Sequence, residues 1–247
     1  MRRTPKKKLK SNLAFSAFSL TTVLQVKPSV DIALKCGYRL FDTAKYYQNE
    51  SELGAALQEL LPKHGLTRAD VFITTKFHMD PDDPAGGARK LVLESLKQLR
   101  VSYIDMVLIH YPKAIKCDEK DPKNKEHRKL SYLELEKLKE EGKIRSVGVS
   151  NYEISHIEEI KNFSKVILQE LRRQTREVCT DKMSQMVPCA NQVELHPHFT
   201  REELRQYCRK EGIFLQVREL LLHGYYLIHA SVPMKNISYA MHGGKDL

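Results

Sequence analysis

From Pro28 onward the chain switches repeatedly between two hydrophobic periods, with short runs rich in β-branched and aromatic residues separated by stretches of helical spacing. The candidate strands are Tyr38 to Asp42, Val71 to Lys76, Ile104 to His110, Ser146 to Ser150, Cys189 to Leu195 and Ile213 to Gln216. Helical stretches lie between them at about 30–36, 50–61, 86–99, 131–141, 153–163 and 200–211. Gly37, Gly142 and Gly212 follow helix ends, and Thr200 with Glu203 has capping-box spacing at the start of the last helix. Strands separated by helices pair in parallel through right-handed crossovers, which leaves a doubly wound open sheet or a (β/α)8 barrel. The G-x-G-x-x-G string of a dinucleotide-binding open sheet is missing, so the barrel is favoured.

Charge and composition narrow the function classes. The net charge of +10 looks like a nucleic-acid signal, but residues 1–10 carry six Lys/Arg and no acid, leaving +4 on the remaining 237 residues. No nucleic-acid partner is expected. The basic start followed by LAFSAFSL has the makeup of a weak signal or transit peptide without an A-x-A cleavage site, and a solvated basic tail is the plainer reading. The longest apolar stretch, Leu13 to Val26, is interrupted by polar residues and too short to cross a bilayer, so no membrane association is expected. Cys36, Cys117, Cys179, Cys189 and Cys208 are odd in number and form no C-x-x-C pair, which points to free thiols and a cytoplasmic location. No metal site is expected: His196, His198 and Cys208 lack ligand spacing.

In a barrel the chemistry sits at the C-terminal ends of the strands. The residues there are Asp42, Lys76, His110, Ser150 with Asn151, and Gln192 to Glu194, and Tyr47 stands just after Asp42. Each has a bland alternative as a cap, a solvated strand end or a turn residue; Asn151 suits a helix start and Gln192 suits a barrel-interior layer. Asp42, Tyr47, Lys76 and His110 together form a chemically coherent set. A tyrosine becomes a useful acid when a neighbouring ammonium lowers its pKa from about 10, a carboxylate can hold that ammonium, and an imidazole can orient a carbonyl.

The blocks GYRLFDTAKYYQNESELG (37–54), VFITTK (71–76), YIDMVLIHYP (103–112), GKIRSVGVSNY (142–152) and ANQVELHPHFTREELRQYCRKEGI (190–213) resemble the aldo-keto reductases. The resemblance implies a (β/α)8 barrel domain over 28–216, between a basic, divergent segment 1–27 and an unmatched tail 217–247. It implies a catalytic tetrad of Asp42, Tyr47, Lys76 and His110, with His110 also meeting the substrate. It further implies NADPH/NADP+ as cofactor, held at its nicotinamide by Ser150, Asn151 and Gln192, and a small carbonyl compound as substrate of a monomeric enzyme.

Four departures accompany it. The stretch Phe18 to Thr22 lacks the family's opening glycine turn, and residues about 167–187 read as an insertion. Val217-Arg218-Glu219 replaces the Ala-Tyr-Ser run that ends the seventh strand, and the eighth strand with its 2′-phosphate contacts has no counterpart. The expected barrel is therefore incomplete, with strands seven and eight altered or absent. The alternative function is a catalytically impaired, aldo-keto reductase-like binding or regulatory protein, from a truncated isoform or an altered gene model.

Overall fold

Strand order follows chain order in the computed structural model, which describes residues 14–16, 23–163 and 187–218. The basic run 1–10, the stretch Phe18 to Thr22, Cys179, nearly all of the 167–187 insertion and the tail beyond residue 218 lie outside the described residues. Seven strands are described: β1 (Ala14–Ser16), β2 (Leu40–Asp42), β3 (Phe72–Phe77), β4 (Ile104–Ile109), β5 (Ile144–Ser150), β6 (Ala190–Glu194) and β7 (Phe214–Arg218). The helices between them are α1 (Val23–Lys35), α2 (Glu50–Lys63), α3 (Pro84–Gln98), α4 (Lys123–Glu140), α5 (154–163) and α6 (Glu202–Glu211). The described residues divide into two compact units, one drawn from those up to residue 78, from 86–108 and from 134–146, the other from 79–85, 109–133 and those from 147 onward.

In the first unit β1, β2 and β3 pair in parallel, with Phe41 opposite Ile73 and Asp42 opposite Thr74. The opening strand lies ahead of Phe18, in residues that the period analysis left unassigned because only three of them pair. Helix α1 begins at Val23, upstream of the expected boundary, and contains Pro28. Val26, Val30, Ala33 and Leu34 bury one face of it, which offsets the backbone hydrogen bond that proline cannot donate. Helix α2 buries Leu53, Ala56, Leu57, Leu60 and Leu61. Buried Asp105 on β4 accepts from Arg68 (2.5 Å), from the Ile73 amide (2.9 Å) and from Arg145 (3.2 Å), so this carboxylate ties neighbouring strands together.

In the second unit β5, β6 and β7 are parallel, and β7 keeps register with β6 from Ala190 opposite Phe214 to Glu194 opposite Arg218. The seventh strand is thus formed despite its altered sequence. Helix α4 starts eight residues before the predicted 131, because its first two turns pack through polar groups that no apolar period reveals. Asp121 caps the Lys123 amide at 2.9 Å, Asn124 accepts from the Ala114 amide at 3.0 Å, and Arg128 reaches the Pro112 carbonyl at 2.7 Å and the Glu159 carboxylate. The predicted Thr200–Glu203 cap does not form: Arg201 is the N-cap of α6, in a left-handed conformation with no side-chain cap bond. At the other end Gly212, at φ 70, closes α6 as expected.

Candidate active site

In the first unit the end of β2, the short 3-10 turn Lys45–Tyr47 and β3 bring together three of the predicted residues. Asp42, Tyr47 and Lys76 are all buried, and Lys76 has no exposed surface. The Lys76 ammonium donates to both carboxylate oxygens of Asp42, at 2.5 Å for Oδ2, and to the Thr43 carbonyl at 3.0 Å. Burying a lysine is tolerable only with such partners. The same Nζ lies 5.1 Å from the centroid of the Tyr47 ring. This is a cation–π contact with the tyrosine ring.

Around this group stands a polar shell that the motif reading passed over, although Asn49 and Glu50 belong to the 37–54 block. Thr43 donates to Asn49 Oδ1 at 2.7 Å, and Thr75 donates to Glu50 Oε1 at 2.6 Å. Lys45 contacts Glu50 at 3.3 Å. The available signal was an Asn-Glu pair and two threonines beside the key residues, polar types in segments that are otherwise core. Tyr46 is exposed and meets His78 edge-on at 5.7 Å, and burial lowers the pKa of His78.

In the second unit the remaining predicted residues lie on or just after β4, β5 and β6: His110 follows β4, Ser150 ends β5 with Asn151 after it, and Gln192 is on β6. Asn151, in the left-handed conformation at φ 61, donates through Nδ2 to the His110 carbonyl at 2.9 Å and to Ser150 Oγ at 3.2 Å. Asparagine is among the few residues that adopt this conformation readily. Ser150 in turn donates to the Gln192 carbonyl at 2.9 Å, and the Asn151 amide does the same at 2.9 Å. His110, Ser150 and Gln192 are buried, and the His110 ring stacks on Tyr111 at 5.4 Å. The next residue, Tyr152, is wholly buried, and desolvation pushes its phenol far above the usual value, with the Arg128 charge opposing. Among the described residues no group of three His, Cys, Asp or Glu side chains stands together as a metal site, and no helix is long and apolar enough to cross a membrane.

Residues 17–231 match the sequence profile of the aldo/keto reductase family. The chain is 34% identical over 199 residues to the glyoxal reductase of Bacillus subtilis, covering 81% of this chain and 59% of that protein. An aldehyde reductase of Saccharomyces cerevisiae is 32% identical over 206 residues, 76% of this chain and 58% of the relative. Among solved structures, an aldo/keto reductase from Brucella melitensis superposes with a TM-score of 0.65 at 28% identity, covering 93% of this chain and 76% of that one. The aldose reductase of Giardia lamblia gives 0.65 at 27% identity, over 83% and 64%. The chain therefore belongs to the aldo/keto reductase family, with the α/β architecture of that family's barrel, incomplete among the described residues. It spans about 59% of the length of the bacterial relative.

Proposed function

We propose that the protein reduces aldehydes or ketones to alcohols, with NADPH as cofactor, Tyr47 as proton donor and His110 as the group that orients the substrate carbonyl. The single observation that carries this reading is the Lys76 ammonium, held by Asp42 and placed 5.1 Å from the Tyr47 ring. Lys76 stabilises the phenolate left when Tyr47 gives its proton to the carbonyl oxygen, and Asp42 keeps Lys76 charged and in place. NADPH, when bound, supplies the hydride that goes to the carbonyl carbon. The carboxamides of Asn151 and Gln192 and the Ser150 hydroxyl are a donor and acceptor set suited to a nicotinamide carboxamide, and the hydrogen bonds among these residues keep them preorganised. We also take the protein to be cytoplasmic and monomeric, with small molecules as its partners.

The test is a titration of purified protein with NADPH, followed by nicotinamide fluorescence, and then an assay with small aldehydes and dicarbonyls. Cofactor binding with turnover that Tyr47→Phe abolishes, while binding persists, is the expected result. No binding up to millimolar NADPH refutes the reading and leaves a binding or regulatory protein.

A further inference from the structure

The 3-10 turn that carries Tyr47 has little backbone support of its own. Its local bonds are Tyr47 to the Ala44 carbonyl at 3.0 Å and Gln48 to the Lys45 carbonyl at 3.2 Å. It ends on Gln48 at φ 54, a left-handed conformation that disfavours residues with side chains. Something outside the turn must hold it. Glu50 is almost wholly buried, and its carboxylate is held by one hydrogen bond at Oε1 and by an ion pair at Oε2, which makes no hydrogen bond. Oε1 accepts from Thr75, the residue immediately before Lys76, at 2.6 Å. Oε2 faces the ammonium of Lys45, the first residue of the turn, at 3.3 Å. Lys45 also reaches Gln98 at 3.2 Å and Glu94 at 3.4 Å, so α3 secures it from a second side.

We propose that Glu50 is a positioning residue: by bridging Thr75 on β3 to Lys45 on the turn, it fixes the distance between Lys76 and the Tyr47 ring and thereby keeps Tyr47 a competent acid. The inference rests on the reading of Tyr47 as proton donor. Because the bridge reaches the neighbours of both residues and neither residue itself, its loss shifts the turn relative to β3 and leaves the Lys76–Asp42 pair in place. A displacement of about 1 Å at a reacting group can reduce turnover by about 100-fold.

The test uses the full chain labelled with [13Cζ]tyrosine, the Tyr47 resonance being assigned by its loss in Tyr47→Phe. In Glu50→Ala the Tyr47 midpoint moves up from its position in the unsubstituted protein, kcat for aldehyde reduction falls by about 100-fold, and KM for NADPH is unchanged. Glu50→Gln retains the acceptor for Thr75 and loses the charge facing Lys45, so its midpoint lies between the two. A folded Glu50→Ala protein in which Tyr47 titrates as before overturns the inference. Should Glu50→Ala fail to fold by circular dichroism, Glu50→Gln with an unmoved midpoint overturns it equally. The two readings separate cleanly: an inactive parent protein whose Tyr47 still responds to Glu50→Ala refutes the reductase function alone, whereas an active parent with an unresponsive Tyr47 refutes the positioning role alone.

Discussion

Lys76 and Asp42 form a closed ion pair at the ends of adjacent parallel strands, with Nζ 2.5 Å from Oδ2 and neither side chain appreciably exposed. The pair follows from register: Asp42 on β2 lies opposite Thr74 on β3, so a lysine two residues further along the same face reaches back to the carboxylate.

Removing one partner of a buried pair leaves the other charged and unpaired. Asp42→Ala is expected to lower stability by about 3–5 kcal/mol, and the double variant Asp42→Ala/Lys76→Met to recover part of that loss. Urea unfolding of the two variants and the parent measures the coupling. Equal losses in both variants would show that the ammonium does not depend on this carboxylate.

Gly54 sits in the middle of α2, where alanine ordinarily improves a helix. A Cβ there would lie 2.6 Å from the Gln98 carbonyl oxygen and 2.7 Å from the Leu99 backbone, which cannot rotate out of the way. Gly54→Ala is therefore expected to destabilise by about 1–3 kcal/mol, against the gain of about 1 kcal/mol that helix propensity alone predicts. A raised thermal midpoint would show that the contact relaxes freely.

Asn151 combines a left-handed backbone with an amide that joins His110 to Ser150. Asn151→Gly keeps the backbone and loses the amide, whereas Asn151→Ala loses both. Alanine is expected to be the worse substitution, by about 1 kcal/mol in denaturant unfolding. The reverse order would mean that backbone strain at this position is negligible.

His156 supplies a pH dependence with a definite sign. Its Nδ1 accepts from the Glu153 amide at 3.2 Å at the start of α5, which requires that nitrogen to be unprotonated. Burial lowers its pKa, and the Arg128 charge adds to the effect. With the folded pKa below the unfolded value of 6.5, the stability contributed by neutral His156 is complete above 6.5 and is lost as the pH falls from there through the folded value. The urea midpoint should drop as the pH falls below 6.5, and His156→Gln should flatten part of that slope, His78, whose pKa is lowered the same way, contributing to the remainder. An unchanged slope in His156→Gln would exclude the cap as its origin.

The alternation of periods was enough to place β2 to β7 within a few residues, because those strands are apolar runs bounded by turn residues. It failed where packing is polar. The first turns of α4 bury Asn124, Arg128 and Ser131 against carbonyls and a carboxylate, a pattern without hydrophobic periodicity. The capping box written as Thr200–Glu203 was overridden when Arg201 took the left-handed cap, while Thr67 and Asp70, at the same spacing, do form one.

The sequence by itself determined the α/β class from its alternating periods and the family from the resemblance of its blocks, and that resemblance nominated Asp42, Tyr47, Lys76, His110, Ser150, Asn151 and Gln192 as candidate site residues. Only the tertiary structure decided that Lys76 reaches both Asp42 and the Tyr47 ring, that Asn151 ties His110 to Ser150, and that Glu50 bridges Thr75 to Lys45. Apart from the local Asn151–Ser150 and Glu50–Lys45 contacts, these links join residues tens of positions apart, and their distances are set by strand register and helix packing, which no local pattern encodes.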